Sequence, residues 1–204
     1  MVTLTRVAPP RTRALRVGER AEAVAALAAS FDDDPLFRWM LPEREERRAW
    51  IAWFHGVSVE GALKTLTAWT LEEGASLGAI TVVPPGAANP GYGTFLRALG
   101  AAPRGLPPWR LVSTGLRVQA RLDALHPREP VVYVHVLGVH PGHKGRGLGG
   151  ALLREALLLA EARGVPAYLE TANPVNLGFY GRYGFKVREE LRVGDAPPVW
   201  TLRT

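Results

Sequence analysis

Gly145, Gly147, Gly149 and Gly150, with Lys144 and Arg146 among them, are the residues whose types and spacing point most directly to chemistry. Glycines let a backbone come close to a bulky ligand, and the first turn of the helix expected after them has amide N–H groups without partners inside the helix. Such a helix start attracts anions. With two side-chain cations beside it, a diphosphate is the natural guest, and a neutral ligand would leave the arrangement unexplained. The bland alternative is a flexible loop before a helix, since glycines also suit tight packing.

Two other phosphate-binding patterns fit less well. Gly145-x-Gly147-x-x-Gly150 matches the dinucleotide fingerprint, with Glu170 about 20 residues beyond. That loop turns straight out of its strand, however, whereas His140 to Lys144 intervene here, and too few residues follow Gly150 for a doubly wound sheet. A Walker loop is excluded because no Gly-Lys-Ser/Thr follows.

The elements that must position this loop can be read on either side of it. Val131 to Val139 is β-branched and aromatic without polar alternation, which predicts a strand covered on both faces. Leu152 to Arg163 predicts a helix ended by Gly164 and Pro166. Asn173, Pro174 and Gly184 predict a short helix over 174–183, on which Asn176 and Tyr180 share a face at i and i+4. Upstream, a strand is expected at Arg13 to Val17, a helix over Glu19 to Phe31 and a second over Glu43 to about Leu63. Strands over Leu63 to Leu71 and Ser76 to Val83 and a helix over Trp109 to Leu125 complete the series. Asp32-Asp-Asp-Pro35 is expected to be a solvated turn, with Asp34 able to approach a cationic substrate. Pro84 to Gly91, followed by Tyr92 and Phe95, reads either as a rim of a binding site or as a plain connector.

His140-Pro-Gly-His-Lys-Gly-Arg-Gly-Leu-Gly-Gly-Ala151 resembles the acetyl-coenzyme A loop of the GCN5-related N-acetyltransferases, whose pattern is Arg/Gln-x-x-Gly-x-Gly/Ala. Lys144, Gly147 and Gly149 take its fixed positions, with lysine in place of Arg or Gln. Pro166-Ala-Tyr-Leu-Glu-Thr171, Asn176-Leu-Gly-Phe-Tyr180 and Tyr183-Gly-Phe185 are similar to that family's last strand-helix-strand. His126-Pro-Arg-Glu-Pro130, Gly164 to Thr171 and Pro197-Pro-Val-Trp200 look like the puromycin N-acetyltransferase-like subgroup.

The resemblance implies an α+β fold: a splayed, mostly antiparallel sheet of six to seven strands with helices on both faces. It implies acetyl transfer from acetyl-CoA to a primary amine of a small-molecule acceptor. Leu137, Gly138 and Val139 would form the family's β-bulge along the cofactor's arm. Lys144, Gly145, Arg146, Gly147, Leu148, Gly149 and Gly150 would hold its phosphates, with Asn176 and Phe179 nearby. Tyr180 is expected to protonate the departing thiolate, or else to be a packing aromatic. Glu170, through a water, or His135 is expected to take the amine proton, His135 being equally a core histidine. Phe31, Phe37, Trp39 and Trp53 are candidate walls of the acceptor pocket. A non-catalytic coenzyme A-binding module and an acetyltransferase of protein amines are the alternatives.

Composition agrees with a single domain over residues 1–204, in which 1–10 read as an extension or an irregular first strand and 131–186 as the cofactor-binding core. The 204 residues are 47% hydrophobic, enough for a sizeable core, and no apolar run approaches a membrane span. Without cysteine there is no disulfide, thiol catalysis or thiolate metal site, and no metal is expected. No apolar signal region is visible near the start, so a cytoplasmic location is expected. The charge of +6 is dispersed and fits a polyanionic cofactor better than nucleic acid, so neither nucleic acid nor membrane is expected as a partner. A monomer or homodimer is expected.

Overall fold

The computed structural model describes residues 9–65, 67–87, 102–103 and 109–204. Seven strands build one sheet: β1 (Thr12–Ala14), β2 (Ala68–Leu71), β3 (Gly74–Val83), β4 (Val132–Val139), β5 (Ala167–Thr171), β6 (Lys186–Leu191) and β7 (Val199–Arg203). Their spatial order is β1-β2-β3-β4-β5-β7-β6, antiparallel throughout except where β4 meets β5. The mixed, mostly antiparallel sheet expected from the sequence is therefore present.

Six α-helices flank it among the described residues: α1 (Arg20–Phe31), α2 (Pro35–Met40), α3 (Arg44–Lys64), α4 (Trp109–Leu125), α5 (Leu148–Arg163) and α6 (Val175–Gly181). Two apolar clusters show how they are divided between the faces. On one, Leu152, Leu153 and Ala156 of α5 and Tyr180 of α6 pack against Ile80, Val82, Val132, Val134 and Leu169. On the other, Leu27 of α1 and Val59 of α3 pack against Ala68, Ala79 and Val136. Both faces of β4 are thus covered, which is why its sequence shows no polar alternation. None of the described helices is long and apolar enough to cross a membrane.

Two expectations change. The strand expected over Leu63 to Leu71 begins only at Ala68, because α3 keeps Ala62 on its buried stripe and runs on to Lys64. The turn at Asp32 to Pro35 is not simply solvated. Asp32 is buried and its carboxylate meets Arg44 at 2.9 Å, Arg48 at 2.9 Å and Arg47 at 3.7 Å, all from the first two turns of α3. Asp34 then opens α2, a helix not foreseen, by accepting hydrogen bonds from the N–H groups of Leu36 (3.0 Å) and Phe37 (3.2 Å), with Pro35 at the first helical position. Residues 1–8, residues 88–91, Tyr92 and Phe95 lie outside the described residues.

Candidate active site

The sheet opens at its middle. β4 and β5 pair only through Val132 with Ala167 and Tyr133 with Tyr168, and no ladder pairing joins them beyond that point. The rest of β4, toward Val139, therefore has backbone N–H and C=O groups unpaired by β5 along the gap, or slot, that opens between the two strands. Buried backbone groups require partners, so a ligand seated in the slot finds a ready row of them.

The irregularity in β4 lies two residues earlier than the resemblance implied. Leu137, Gly138 and Val139 pair in regular register with Ile80, Ala79 and Gly78, so they are not the bulge. Val134 pairs with Val82 and Val136 with the adjacent Thr81, leaving His135 as the extra residue. The bulge inverts the side-chain alternation. Val134 belongs to the α5 face, Val136 to the α1 face, and Leu137 and Val139 return to the α5 face. Gly138 is required for a different reason: a Cβ there would collide with Ser30 Oγ and come within 2.9 Å of Leu27. It is the floor on which α1 packs.

Beyond β4, His140 Nδ1 accepts from the N–H of Gly142 (3.2 Å) and opens a single 3₁₀ turn, Pro141–His143. Gly145 (φ +79°) and Gly147 (φ +78°) then take the left-handed conformation that favours glycine. Gly147 is the N-cap of α5, whose first ladder bond runs from Ala151 N to Gly147 O at 3.1 Å. The N–H groups of Leu148, Gly149 and Gly150 precede that bond and form the partner-free start of the helix. Lys144 and Arg146 are exposed beside it, Arg146 resting at 3.0 Å from His143 Nδ1. Not every loop glycine serves the ligand. At Gly150 a Cβ would collide with the Tyr183 phenol, and at Gly149 it would touch the Phe179 ring and Val139 at 3.6 Å. Gly150 thus lets α5 pack closely on the segment that follows α6, whereas a Cβ at Gly149 would meet its neighbours at ordinary contact distance.

α6 brings Tyr180 to the same face. Asn173 Oδ1 accepts from Val175 N (3.1 Å) at its start, and Gly184 (φ +86°) follows its end. Asn176 Nδ2 donates to Thr171 Oγ1 at the end of β5 (3.2 Å), fixing the helix beside the slot. Tyr180 is buried against Phe179 and Phe185, with ring centroids 5.0 and 5.7 Å apart. Burial pushes its phenol well above the usual range, so it keeps its proton at neutral pH.

The opposite face gathers the other expected groups. Glu170 follows Leu169 on β5 and so turns away from the α5 core; its Oε2 accepts a hydrogen bond from Tyr133 Oη at 2.5 Å. Part of Glu170 reaches solvent, yet the atoms packed around it remove enough hydration to push its carboxyl up to about 7. His135 stands near Tyr133 (5.5 Å) and Phe54 (6.1 Å), and loss of hydration holds its imidazole down to about 4. Phe31 and Phe37 belong here too, edge to face at 6.2 Å. Trp39 and Trp53, like Phe37 itself, pack against Met40, Leu41 and Trp50. The Oδ1 atom of Asp34 is occupied in capping α2.

Two residues not singled out in the sequence belong to this face. Tyr133 could have been placed beside His135 by strand alternation, but its partner comes from another strand. His55 is buried, 4.7 Å from Phe31 and 5.4 Å from Phe54 between ring centroids, and neither ring nitrogen makes a hydrogen bond among the described residues. Burial, and then His135, hold its imidazole down to about 3.

With this geometry in view, the comparisons with known proteins are specific. Residues 112–185 match the acetyltransferase (GNAT) family. One stretch is 40% identical over 68 residues to a mycothiol acetyltransferase of Streptomyces avermitilis, covering 32% of this chain and 22% of that one. Another is 49% identical over 55 residues to the N-alpha-acetyltransferase RimI of Mycobacterium tuberculosis, covering 26% and 34%. The matches thus span about a third or less of these relatives' own lengths. In fold, the chain is similar to a crystal structure of histone acetyltransferase HPA2 and related acetyltransferase from Corynebacterium glutamicum, with a TM-score of 0.67 and 18% identity over 96% of each chain.

Proposed function

We propose that this chain, which has the GNAT fold and carries that family's pattern over 112–185, is an acetyl-CoA-dependent N-acetyltransferase acting on a primary amine of a small molecule. The observation that carries the reading is the slot between β4 and β5, with an anion-binding loop and a protonated phenol on one face and a carboxyl poised near neutrality on the other. Within the family, the motifs at 126–130, 164–171 and 197–200 favour the puromycin N-acetyltransferase-like group.

The residues present fit the donor. The N–H groups of Leu148, Gly149 and Gly150, the backbone opened by Gly145 and Gly147, and the cations of Lys144 and Arg146 would hold its diphosphate. The free edge of β4 from Leu137 to Val139 would take its arm, with Asn176 and Phe179 closing the other side. When bound, acetyl-CoA supplies an acetyl thioester whose acyl group passes to the amine and whose sulfur leaves as thiol.

The proton movements fall to the chain. Glu170 is about half ionised near pH 7, which suits a group that must take a proton from an ammonium or amine. His135, held neutral, is the other acceptor at the bulge. Tyr180 keeps a proton on Oη that it can donate as a hydrogen bond, and give up only as strong negative charge develops beside α6, because burial makes it a weaker acid. The acceptor side, where Phe31, Phe37, Phe54 and the neutral imidazole of His135 gather, favours an apolar-bodied amine over a strongly basic peptide.

The test is thiol release from acetyl-CoA across a panel of small amines and basic peptides. Turnover with one or more apolar-bodied amines is expected. Turnover with peptides and none of the small amines would overturn the acceptor class, and binding of acetyl-CoA without any transfer would leave a binding module.

A further inference from the structure

We propose that Tyr133 is a positioning residue for Glu170, fixing the carboxylate at the fork of the sheet and favouring its ionised, proton-accepting form. This rests on the reading of Glu170 as the proton acceptor. The geometry carries it. Tyr133 and Tyr168 are the last paired residues before β4 and β5 part, and Glu170 lies two residues past Tyr168 on the same side of β5. The 2.5 Å bond from Tyr133 Oη to Glu170 Oε2 therefore crosses the fork diagonally, just where the backbone ladder ends. Tyr133 is itself held: His126, just after α4, stands nearly edge-on to both Tyr133 (5.3 Å) and Tyr168 (5.0 Å). A carboxylate at the mouth of a slot otherwise has several rotamers; this one is tied to one of them.

The groups around Glu170 define the electrostatics. Tyr168 comes from β5, Tyr133 and the neighbouring His135 from β4, Asp123 from α4 and His126 from the position just after it. Burial raises the Glu170 carboxyl, the Tyr133 bond and then the nearby Tyr168 hydroxyl oppose that rise, and the charge of Asp123 adds to it; of the two phenols only Tyr133 makes a well-formed hydrogen bond among the described residues. Burial also keeps the Tyr133 phenol protonated, so it remains a donor throughout the working range.

Tyr133→Phe keeps the ring and removes the donor. A hydrogen bond to a charged group is strong enough that its loss should move the Glu170 titration upward by roughly one to two pH units. The direct reading is a carbon-13 NMR titration of the glutamate side-chain carboxyls, assigned with Glu170→Gln, in the wild type and in Tyr133→Phe. In the wild type, the ring carbon bearing the Tyr133 oxygen should also shift with the same midpoint as Glu170. In the kcat/KM profile, the acidic limb should move up with the titration, giving a loss on the order of tenfold at pH 7 that recovers toward pH 9. An unmoved Glu170 midpoint in Tyr133→Phe overturns the proposal. So does a wild-type Tyr133 resonance that ignores the Glu170 titration, a measurement that needs no variant to fold. If the wild type acetylates no amine although Glu170 and Tyr133 titrate together, the proposed function fails and the pairing stands.

Discussion

Tyr180 and Glu170 lie on opposite faces of the sheet, reached from the same strand end by different routes. Leu169 packs into the cluster that holds Tyr180, while Glu170, the next residue, turns to the other face and is held by Tyr133. Under the proposed function the proton donor and the proton acceptor thus approach the reacting atoms from opposite sides. They can serve one reaction only through the slot between β4 and β5, so the parting of those strands is the condition for the chemistry rather than an imperfection of the sheet.

Gly147→Val should weaken acetyl-CoA binding by about tenfold or more. Space is not the obstacle, since a Cβ at 147 has nothing nearer than Pro10 at 4.0 Å. The obstacle is φ +78°, which a β-branched residue enters only at a cost of roughly 1–2 kcal/mol or by shifting the helix start away from its anion. Lys144→Ala removes one exposed cation and should cost less. Calorimetric titration with acetyl-CoA ranks the two, and near-normal binding by Gly147→Val would remove the loop from the donor site.

Gly138→Ala should lower stability by roughly 1–3 kcal/mol without altering the loop. The new methyl group would meet Ser30, whose Oγ is committed to Leu27 O at 2.9 Å, and would stand 3.1 Å from Ser30 Cβ. Adding Ser30→Ala should restore part of the loss but not all, because Leu27 remains 2.9 Å away. Thermal melts of the single and double variants decide this; an unchanged melting temperature in Gly138→Ala would mean that α1 sits farther from β4.

His55→Phe should leave stability at pH 8 unchanged or slightly raised, and raise it more at pH 5. Its two unpartnered nitrogens are lost without changing the ring's packing greatly. The sign follows from linkage. An imidazole held down to about 3 in the folded chain, against about 6.5 unfolded, contributes stability that is complete above pH 6.5 and is lost as pH falls. From pH 6.5 to 5 that loss is about 2 kcal/mol, and the phenylalanine variant escapes it. Urea unfolding at the two pH values would show the difference, and equal changes at both would mean that His55 is already solvated in the folded protein.

How much of this was legible beforehand depends on the range of each interaction. The loop and α5 were readable because glycine spacing, a leucine-rich helix and Gly164 act within a few residues of one another. The Asp34-Pro35 pair carried a helix-start signal equally local, although the acidic triplet read more readily as a turn. By contrast, the bulge at His135 depends on register against β3, some fifty residues earlier, and nothing in the composition of β4 marks which residue is extra. Asp32 is buried because three arginines of α3 converge on it, and Tyr133 finds Glu170 across 37 residues. Phe37, Trp39 and Trp53 all pack against the Trp50 cluster, and an apolar stripe in the sequence does not mark which of them also faces a pocket.

Tyr180→Phe should lower kcat by a factor on the order of 10 to 10³ while leaving acetyl-CoA affinity nearly unchanged. Removing one hydroxyl keeps the ring against Phe179 and Phe185, and Asn176 keeps its bond to Thr171, so α6 and the cofactor face it shares with Leu137, Val139 and Phe179 should persist. What is lost is a proton that burial holds on Oη through the neutral range. Because that proton is needed only as negative charge develops, kcat and kcat/KM should fall together. Water entering the open slot can replace part of the function, which sets the lower end of the range. Steady-state kinetics on an accepted amine, with cofactor binding measured separately, gives the comparison, but slow product release would mask it. A rapid-mixing measurement of the first acetyl transfer removes that ambiguity, and a wild-type rate there would reduce Tyr180 to a packing residue of the α5 face.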